Sequence, residues 1–462
     1  MEISSYLNRI SSFYSSLKFN DLPYEVIHKT KLTLFDFLVV ITAGKAYGSI
    51  YNQLETYLGT CGETPKATVL PMNTKCSSQT AALVMGMMSS CLELDDGHRY
   101  GTAHPATAVI SAALSVCDVN STEYAKLLLS IAVGYDAMLR LATAINPSHL
   151  KRGFHTTGTC GTIGASVAVS SIKEFNAEKT SHTVSIVALQ SSGIQEMLHS
   201  NPEIKTINSG RAAHAAVLAS EFVDLGFKGP VSVFEGSHGW IKAMTDEFDE
   251  SALLSSLGKR FEIMYTYTKL YPSCRHCHAA IDLGIKLFNS GVSIEKIESL
   301  KLRTYGVAIS EVGYIKRPRN LDEAMFSVAY ALATVLKYGK ARLQEISSSL
   351  NNDSILKFAQ SIEIIEDEDM NSKYPHERGA VLHVTLKNNE SLVLTTHLPK
   401  GEFDTPLTDD EYFQKALDLL ENVKPISWIQ GLWNAVVEKR DSTCDVSEIF
   451  NFFTHEVSDE II

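Results

Sequence analysis

A long succession of apolar helical segments constrains the fold of this chain more than any other feature of its sequence. Apolar residues recur at three- and four-residue spacing in 24–44, 80–94 and 106–117, and the pattern continues to about residue 225. Short polar or glycine-containing links separate these segments. Up to about residue 260 the sequence therefore predicts one helix after another, among them a helix that Ser121 caps and that runs to about Ile145. Helices with apolar stripes bury them by packing on each other.

The pattern changes near Phe261. Four segments beyond it are typical of β-strands: 300–309, 362–365, 380–386 and 391–396. Two segments in the same region predict helices: 277–287 and 323–338. Asn388-Asn389, between the last two strands, is a hairpin signal. From residue 409 helical periodicity returns.

We therefore predict a mainly α fold, a large all-helical domain with an inserted smaller α/β (α+β) lid domain. The predicted boundaries are 1–265 for the first part of the helical domain, 266–402 for the lid domain and 403–462 for the C-terminal return. A lid of this length is a plausible domain size.

The net charge limits the partners of this chain. It is −12 at pH 7 over 462 residues, which disfavours nucleic acid and anionic membranes. No apolar run reaches the roughly 18–20 residues of a membrane span. The first residues lack a basic segment followed by an apolar block, so we expect no signal peptide. Eight scattered cysteines are typical of a reducing compartment, and we predict a cytoplasmic protein.

Residues 274–278, CRHCH, have the spacing of a c-type haem attachment site. Such a site requires export to an oxidising compartment, which the N-terminal residues do not indicate. A zinc finger would need a second ligand pair at the usual spacing, and the sequence offers none. We therefore predict no haem and no metal at this segment.

The stretch 90–105, SCLELDDGHRYGTAHP, concentrates ionisable groups between two apolar helices. Gly97 and Gly101 interrupt the helical pattern, so these groups are predicted to lie on a loop. They are Glu93, Asp95, Asp96, His98, Arg99 and His104. Burying such groups is costly unless they are paired or used in chemistry. The alternative is a plain connection between helices with solvated charges.

Later segments add histidines and cations. His155 opens the small-residue segment 153–172, which would let another backbone approach closely, and the helix dipole there favours a neutral imidazole. The basic groups outside obviously solvated faces are Lys205, Arg211, Lys269 and Arg275. Cations bind carboxylates, and histidine can move a proton next to one. Without phosphate-loop or serine-nucleophile motifs, this set suits a small di- or tricarboxylate. For each lysine, a plain surface side chain is the alternative.

Four segments, in this order, resemble the signature blocks of the MmgE/PrpD family. They are LELDDGHRYGTAHPATAVISAAL, GFHTTGTCGTIGASVAVS, INSGRAAHAAVLASEFVDLGFKGP followed by FEGSHGW, and KLYPSCRHCHAAID. The likeness covers about residues 25–340. The family includes 2-methylcitrate dehydratase, cis-aconitate decarboxylase and iminodisuccinate epimerase. The resemblance implies a helical domain with a smaller α/β lid, a homodimer, and no metal or organic cofactor.

Carried over by position, the resemblance implies pocket residues as in cis-aconitate decarboxylase. They are His104 in the AHP turn, His155 in the GFH turn, Lys205 before the SGRAAH helix, Lys269 before YPSC and Tyr314 in VGYIKRP. Glu93 occupies a position that is often aspartate, with one extra residue between it and His104. Tyr330 is a lower-ranked neighbour of Tyr314, and core packing is its other interpretation.

These residues together predict a lyase that moves a proton next to a carboxylate. Substrate binding is assigned to Glu93, Lys205, Lys269 and Arg275. Proton transfer is assigned to His104 and His155, with Tyr314 or the second histidine as the partner acid. We expect all of them to converge in a metal-free cleft between lid and helical body.

The sequence is compatible with more than one activity. The length and the ELDD spelling resemble some decarboxylases, and a cis-aconitate decarboxylase-like or 2-methylcitrate dehydratase-like activity is expected. The first alternative is an epimerase or racemase of a dicarboxylate, like iminodisuccinate epimerase. The second is a non-catalytic carboxylate-binding protein.

Overall fold

The computed structural model describes residues 5–62, 65–119, 121–200, 202–439 and 443–454. Within them the fold is mainly α with small sheets, as predicted. The chain divides into two compact units. The first comprises Met1–Cys91, Asp95–Thr266 and Tyr412–Ile462, and the second comprises Leu92–Leu94 and Tyr267–Glu411. The second unit thus includes Glu93 and extends past residue 402, where the predicted lid domain ends.

Helices build the first unit. They are α1 (Tyr6–Ser16), α2 (Tyr24–Tyr47), α3 (Tyr51–Thr60), α4 (Ser78–Ser90), α5 (Pro105–Cys117), α6 (Tyr124–Ile145), α7 (Ser148–Lys151), α8 (Thr156–Ile172), α9 (Ala177–Ala188), α10 (Glu196–Ser200), α11 (Thr206–Asp224), α12 (Trp240–Met244) and α13 (Glu250–Leu254). Strands β1 (Ala67–Val69) and β2 (Thr74–Cys76) form an antiparallel pair, and β3 (Gly97–His98) is a two-residue strand.

The core of the first unit is formed by α4, α5, α6, α8 and α11, which pack on one another. Every residue of α5 is buried, and so is every residue of α8 except Ser171. A helix that is enclosed on all sides must be apolar or small on all sides. This requirement explains the alanine-, glycine- and threonine-rich sequences of these two helices.

Glycines allow the central helices to touch through their backbones. A Cβ added at Gly164 of α8 would lie 2.5 Å from the carbonyl oxygen of Gly134 in α6. A Cβ added at Gly86 of α4 would lie 2.8 Å from Cα of Gly210 in α11. The prediction that the small-residue segment 153–172 admits a second backbone is confirmed.

We expect Gly164→Ala to destabilise the protein. The methyl group would force the α6 and α8 backbones apart, and overpacking of this kind costs about 1–3 kcal/mol. Urea unfolding followed by circular dichroism measures the change. Gly59→Ala in α3 is the matched control, because nothing lies within 4 Å of a Cβ there and alanine favours a helix. Equal stability of the two variants would contradict the close-contact account.

The second unit combines helices with one sheet. Its helices are α14 (His278–Asn289), α15 (Gly306–Val312), α16 (Leu321–Met325), α17 (Val328–Tyr338), α18 (Leu343–Ser348), α19 (Asp353–Ser361) and α20 (Glu368–Lys373). After the short strand β4 (Thr266–Tyr267) come β5 (Ile297–Thr304), β6 (Glu363–Glu366), β7 (Ala380–Leu386) and β8 (Ser391–Thr396).

The four-stranded sheet has the order β6-β5-β7-β8. β5 runs parallel to β6, with Leu302 opposite Ile364, and antiparallel to β7, with Leu302 opposite Leu382. β7 and β8 form an antiparallel hairpin whose bounds are those predicted from the sequence. Along β7 buried and half-buried residues alternate, and α14 packs on β7 and β8. The hairpin prediction is confirmed.

Three local predictions are wrong. The strand predicted for 300–309 ends at Thr304, and α15 begins two residues later. The helix predicted for 323–338 is two helices, because the extended Ser327 caps α17 by accepting a bond from the backbone N–H of Tyr330. Ser121, the predicted cap of α6, has a left-handed φ of 44°, and Glu123 is the N-cap instead. Caps and breaks depend on backbone angles that periodicity does not report.

The C-terminal helices are α21 (Asp409–Leu420), α22 (Ile426–Val436) and α23 (Ser447–Thr454). The predicted return to helices is confirmed, with Trp428 and Trp433 on α22. In the first unit, Lys415 of α21 lies 2.6 Å from the carboxylate of Asp36 in α2, and both side chains are buried. A buried pair of this kind is strongly destabilised when one partner is removed, so it secures α21 to α2.

Helix α6 is long and apolar enough, by length and composition, to cross a membrane. The sequence prediction concerned uninterrupted apolar runs, and Asp136 and Arg140 interrupt this one. Those two side chains pair at 2.8 Å. The most apolar part of the helix is 89% buried inside the protein, which is the environment of a core helix.

Candidate active site

The loop between α4 and α5 buries most of its ionisable groups. The exposed fractions are 3% for Asp95, 5% for Asp96, 1% for His98 and 3% for Arg99. The alternative that these charges are solvated is therefore wrong. Burial at this cost requires partners.

His104 is the N-cap residue of α5, and its side chain keeps 17% of its surface exposed. Its Nδ1 lies 2.7 Å from the backbone oxygen of Asp96 and 3.3 Å from a carboxylate oxygen of Asp95. Its backbone N–H donates to the hydroxyl of Thr157, in the first turn of α8, at 3.0 Å. The imidazole is thus fixed on one side by an acceptor pair, and its turn is tied to the start of α8.

The Asp96 carboxylate holds this loop in place. One oxygen accepts the backbone N–H of Ala106 at 3.1 Å, and the other accepts the Tyr135 hydroxyl at 2.9 Å. Because the His104 side chain makes no capping bond, Asp96 supplies the cap of α5 from ten residues upstream. Burial raises the pKa of Asp96 from 3.8 to about 7, against the opposing effects of these two bonds and the charge of Lys29.

A raised carboxyl pKa makes stability depend on pH. Between pH 4 and about 7 the folded protein binds a proton at Asp96 that the unfolded chain releases, so this contribution to stability falls as the pH rises through about 7. We expect the stability of Asp96→Asn relative to the native chain to increase with pH in that window, by at most about 1.4 kcal/mol per pH unit. Urea unfolding at several pH values measures it, and a pH-independent difference would contradict the assignment.

His98 has a structural role in the same loop. Its Nδ1 accepts the backbone N–H of Gly101 at 3.0 Å, and its Nε2 lies 3.5 Å from the carboxylate of Glu262. Arg99 lies over the ring of Tyr100 at 5.2 Å. These contacts shape the loop around His104.

His155 is the N-cap residue of α8 and is 5% exposed. Its Nδ1 lies 3.3 Å from the amide nitrogen of Asn208 in α11. Its backbone N–H donates to the carbonyl of Gly193 at 3.0 Å. Lys205 is 5% exposed and immediately precedes α11, three residues before Asn208.

The first unit therefore brings three predicted site residues into one neighbourhood. The His104 turn is bonded to the first turn of α8, which His155 opens, and His155 contacts the first turn of α11, which follows Lys205. Sequence reasoning missed Asn208, although it lies in the INSGRAAH block. Arg211 was considered as a cation for a substrate carboxylate. Its guanidinium instead donates to the carbonyls of Gln190, Gly158 and Ser192 and holds a loop.

In the second unit, Lys269 and Glu93 form a buried pair. Their charged atoms lie 3.0 Å apart, with side-chain exposures of 0% and 5%. Glu93 has a left-handed φ of 50°, which is uncommon for a residue with a side chain and marks stored strain. Both were predicted to bind substrate, and the structure pairs them with each other.

Arg275 is enclosed by contacts within the second unit. Its guanidinium lies 3.1 Å from the carboxylate of Glu402, donates to the carbonyls of Pro399 and Lys400, and lies over the ring of Tyr267 at 4.7 Å. The side chains of Arg275 and Glu402 are 2% and 0% exposed. This geometry favours a structural role for Arg275 over the predicted carboxylate binding.

The two tyrosines considered for the site differ in their exposure to solvent. Tyr314 follows α15 and is 52% exposed. Burial of part of the ring, with the charge of Glu311, raises its pKa above 10.0, so the phenol keeps its proton near neutral pH. Tyr330 is fully buried and donates to the carbonyl of Ile346 at 2.7 Å. The interpretation of Tyr330 as core packing is confirmed.

All eight cysteines are free thiols. In the CRHCH segment Cys277 is fully buried, and burial raises the pKa of Cys274 to about 11. His278 is buried with its Nδ1 3.0 Å from Arg275, and the Nδ1 of His276 lies 2.5 Å from the Tyr305 hydroxyl. The side chains of this segment are thus used in contacts inside the second unit.

Comparisons with known proteins identify the family to which the chain belongs. The model of the MmgE/PrpD N-terminal domain matches residues 8–252, and the model of the C-terminal domain matches residues 271–428. The chain is 23% identical to the cis-aconitate decarboxylase-like protein oryM of Aspergillus oryzae (strain ATCC 42149 / RIB 40), over 97% of each chain. Because the two domain models together cover most of its length, the chain belongs to the MmgE/PrpD family.

Proposed function

We propose that this protein is a cofactor-independent lyase that acts on a small di- or tricarboxylate by proton transfer next to a carboxylate. Membership of the MmgE/PrpD family and the likeness to a cis-aconitate decarboxylase-like protein support this class of chemistry. Within the class, the name of that relative favours decarboxylation of a cis-aconitate-like acid over dehydration.

The observation that carries the proposal is the neighbourhood of His104, His155 and Lys205 in the first unit. Two imidazoles at the starts of adjacent helices offer a proton acceptor and a proton donor. Lys205 supplies a cation for a carboxylate. Asp96 reduces the local negative charge when protonated, because burial raises its pKa to about 7.

Decarboxylation and dehydration both need only groups that move protons and cations that bind carboxylates. In decarboxylation the bond to the departing carboxylate breaks, carbon dioxide leaves, and the electron pair moves through the adjacent double bond to a carbon next to another carboxylate. A histidine then delivers a proton to that carbon. In dehydration one histidine removes a proton next to a carboxylate and the second protonates the departing hydroxyl. Lysines bound to the remaining carboxylates stabilise the negative charge.

We assign carboxylate binding to Lys205 and Lys269, with Glu93 as the residue that orients Lys269. Tyr314 is kept as a candidate acid because it retains its proton. Arg275 is assigned to the structure of the second unit. A rise in KM without loss of kcat in Lys205→Met would support this assignment of Lys205.

Incubation of the pure protein with cis-aconitate, 2-methylcitrate, citrate and iminodisuccinate in deuterated water, followed by NMR, tests the proposal. Formation of a decarboxylated or dehydrated product supports it. Deuterium exchange into a substrate without a new product would identify an epimerase instead. Binding of these acids without exchange or product would identify a carboxylate-binding protein and overturn the enzyme proposal.

We also propose that the protein is a cytoplasmic homodimer, as the family resemblance and the eight free thiols suggest. Size-exclusion chromatography with light scattering tests the dimer, and a monomer at micromolar concentration would contradict it. Fractionation of the source cells tests the location.

A further inference from the structure

The hydrogen-bond partners of His104 decide which of its ring nitrogens carries the hydrogen. Its Nδ1 lies 2.7 Å from the carbonyl oxygen of Asp96 and 3.3 Å from the carboxylate of Asp95. A carbonyl or carboxylate oxygen accepts and cannot donate. Nδ1 therefore carries the hydrogen, and in the neutral ring the lone pair lies on Nε2.

The partner of His155 has the opposite character. The nitrogen 3.3 Å from its Nδ1 belongs to the side-chain amide of Asn208, which donates. The same amide nitrogen lies 4.0 Å from the Sδ of Met197, which also accepts hydrogen bonds. The amide of Asn208 is therefore oriented with its nitrogen toward two acceptors. Nδ1 of His155 therefore accepts, and in the neutral ring the hydrogen lies on Nε2.

The charge environment separates the rings further. Both histidines lie at helix starts, where the dipole disfavours imidazolium. The carboxylate of Asp95 offsets this effect at His104 and stabilises its protonated form. At His155 the amide of Asn208 carries no charge.

We infer that the protein holds its two site histidines in opposite tautomers, with Asp95 and Asn208 as positioning residues, so that His104 presents a proton acceptor and His155 a hydrogen-bond donor. The tautomers follow from the contacts alone, whereas the catalytic roles rest on the proposed function. In dehydration His104 takes the proton next to a carboxylate onto Nε2, and in decarboxylation its imidazolium delivers the proton to the carbon. Asp95 holds that imidazolium. His155 keeps its Nε2 hydrogen and donates a hydrogen bond through it to the negative charge that develops on the substrate.

Nitrogen NMR of protein labelled with ¹⁵N-histidine tests the tautomers without a substrate. Loss of one signal set in His104→Gln and in His155→Gln assigns the two rings among the 15 histidines. We expect a protonated Nδ1 for His104 and a protonated Nε2 for His155. The same tautomer in both rings would overturn the inference, whether or not the protein has activity.

Two near-isosteric variants test the positioning residues. In Asn208→Asp the new carboxylate accepts, so the hydrogen of His155 should move to Nδ1 and turnover should fall. In Asp95→Asn we expect kcat to fall about 10–100-fold with KM changed less than about twofold, the scale found for residues that orient metal-bound histidines. Asp95→Glu should restore part of the loss.

Glu262→Gln is the matched control, since it removes the carboxylate 3.5 Å from the buried ring of His98 in the same loop. It should lower stability and leave both site tautomers unchanged. An unchanged His155 tautomer in Asn208→Asp, or full kcat in Asp95→Asn, would overturn the positioning roles. Opposite tautomers in a protein that turns over none of the tested acids would instead reject the proposed function and leave the tautomer assignment intact.

Discussion

Replacing His155 by alanine should lower the turnover of a carboxylate substrate by about 100-fold or more, the effect of losing a hydrogen-bond donor to developing negative charge. The ring is 5% exposed and oriented by Asn208, and alanine offers no hydrogen-bond donor in its place. Steady-state kinetics on the acid identified by NMR measures the loss. His104→Gln should lose turnover on the same scale.

His397→Ala is the matched control for these variants. That histidine is 58% exposed and pairs with Glu377 at 2.8 Å in the second unit, so its removal should leave turnover unchanged. Turnover of His155→Ala within threefold of the control, on the order of 0.7 kcal/mol, would remove His155 from the mechanism.

Replacing Glu402 by glutamine should destabilise the protein by about 3–5 kcal/mol, the cost of leaving a buried charge without its counter-ion. Arg275 and Glu402 are 2% and 0% exposed and lie 3.1 Å apart. The carbonyls of Pro399 and Lys400 cannot neutralise the guanidinium. Urea unfolding, monitored by the tryptophans and by circular dichroism, measures the change.

Glu411→Gln is the control, because Glu411 pairs with Lys400 at a half-exposed position and such pairs contribute about 0–1 kcal/mol. A variant Arg275→Met/Glu402→Met should recover much of the lost stability, since a buried pair can be replaced by apolar side chains. A loss below about 1 kcal/mol in Glu402→Gln would return Arg275 to the set of carboxylate-binding candidates.

The sequence predicted elements well wherever one local pattern determines them. The β7–β8 hairpin has its predicted bounds because alternation and the Asn388-Asn389 turn act together. The strand predicted for 300–309 ends early at Thr304. A helix follows it almost at once, and the apolar residues of that helix continue the pattern of the strand. Helix α6 was predicted, and its Asp136–Arg140 pair at 2.8 Å accounts for two charges inside an apolar core helix.

The candidate site likewise contains residues that short motifs identify and contacts that only the fold reveals. His104, His155 and Lys205 could be chosen from short motifs, and the first unit brings them together. The role of Asn208 depends on a contact across 53 residues, and the cap that Asp96 gives α5 depends on a loop conformation. The pairing of Lys269 with Glu93 joins residues 176 apart in the chain. No periodicity in the sequence reports such contacts.

The most direct test of the proton-transfer account is the conversion of cis-aconitate in deuterated water, with the product analysed by NMR and mass spectrometry. The account predicts a product that has lost carbon dioxide and carries one deuterium on a carbon next to a carboxylate, with little product from His155→Ala. A product without deuterium, or the same rate from His155→Ala as from the native chain, would contradict it.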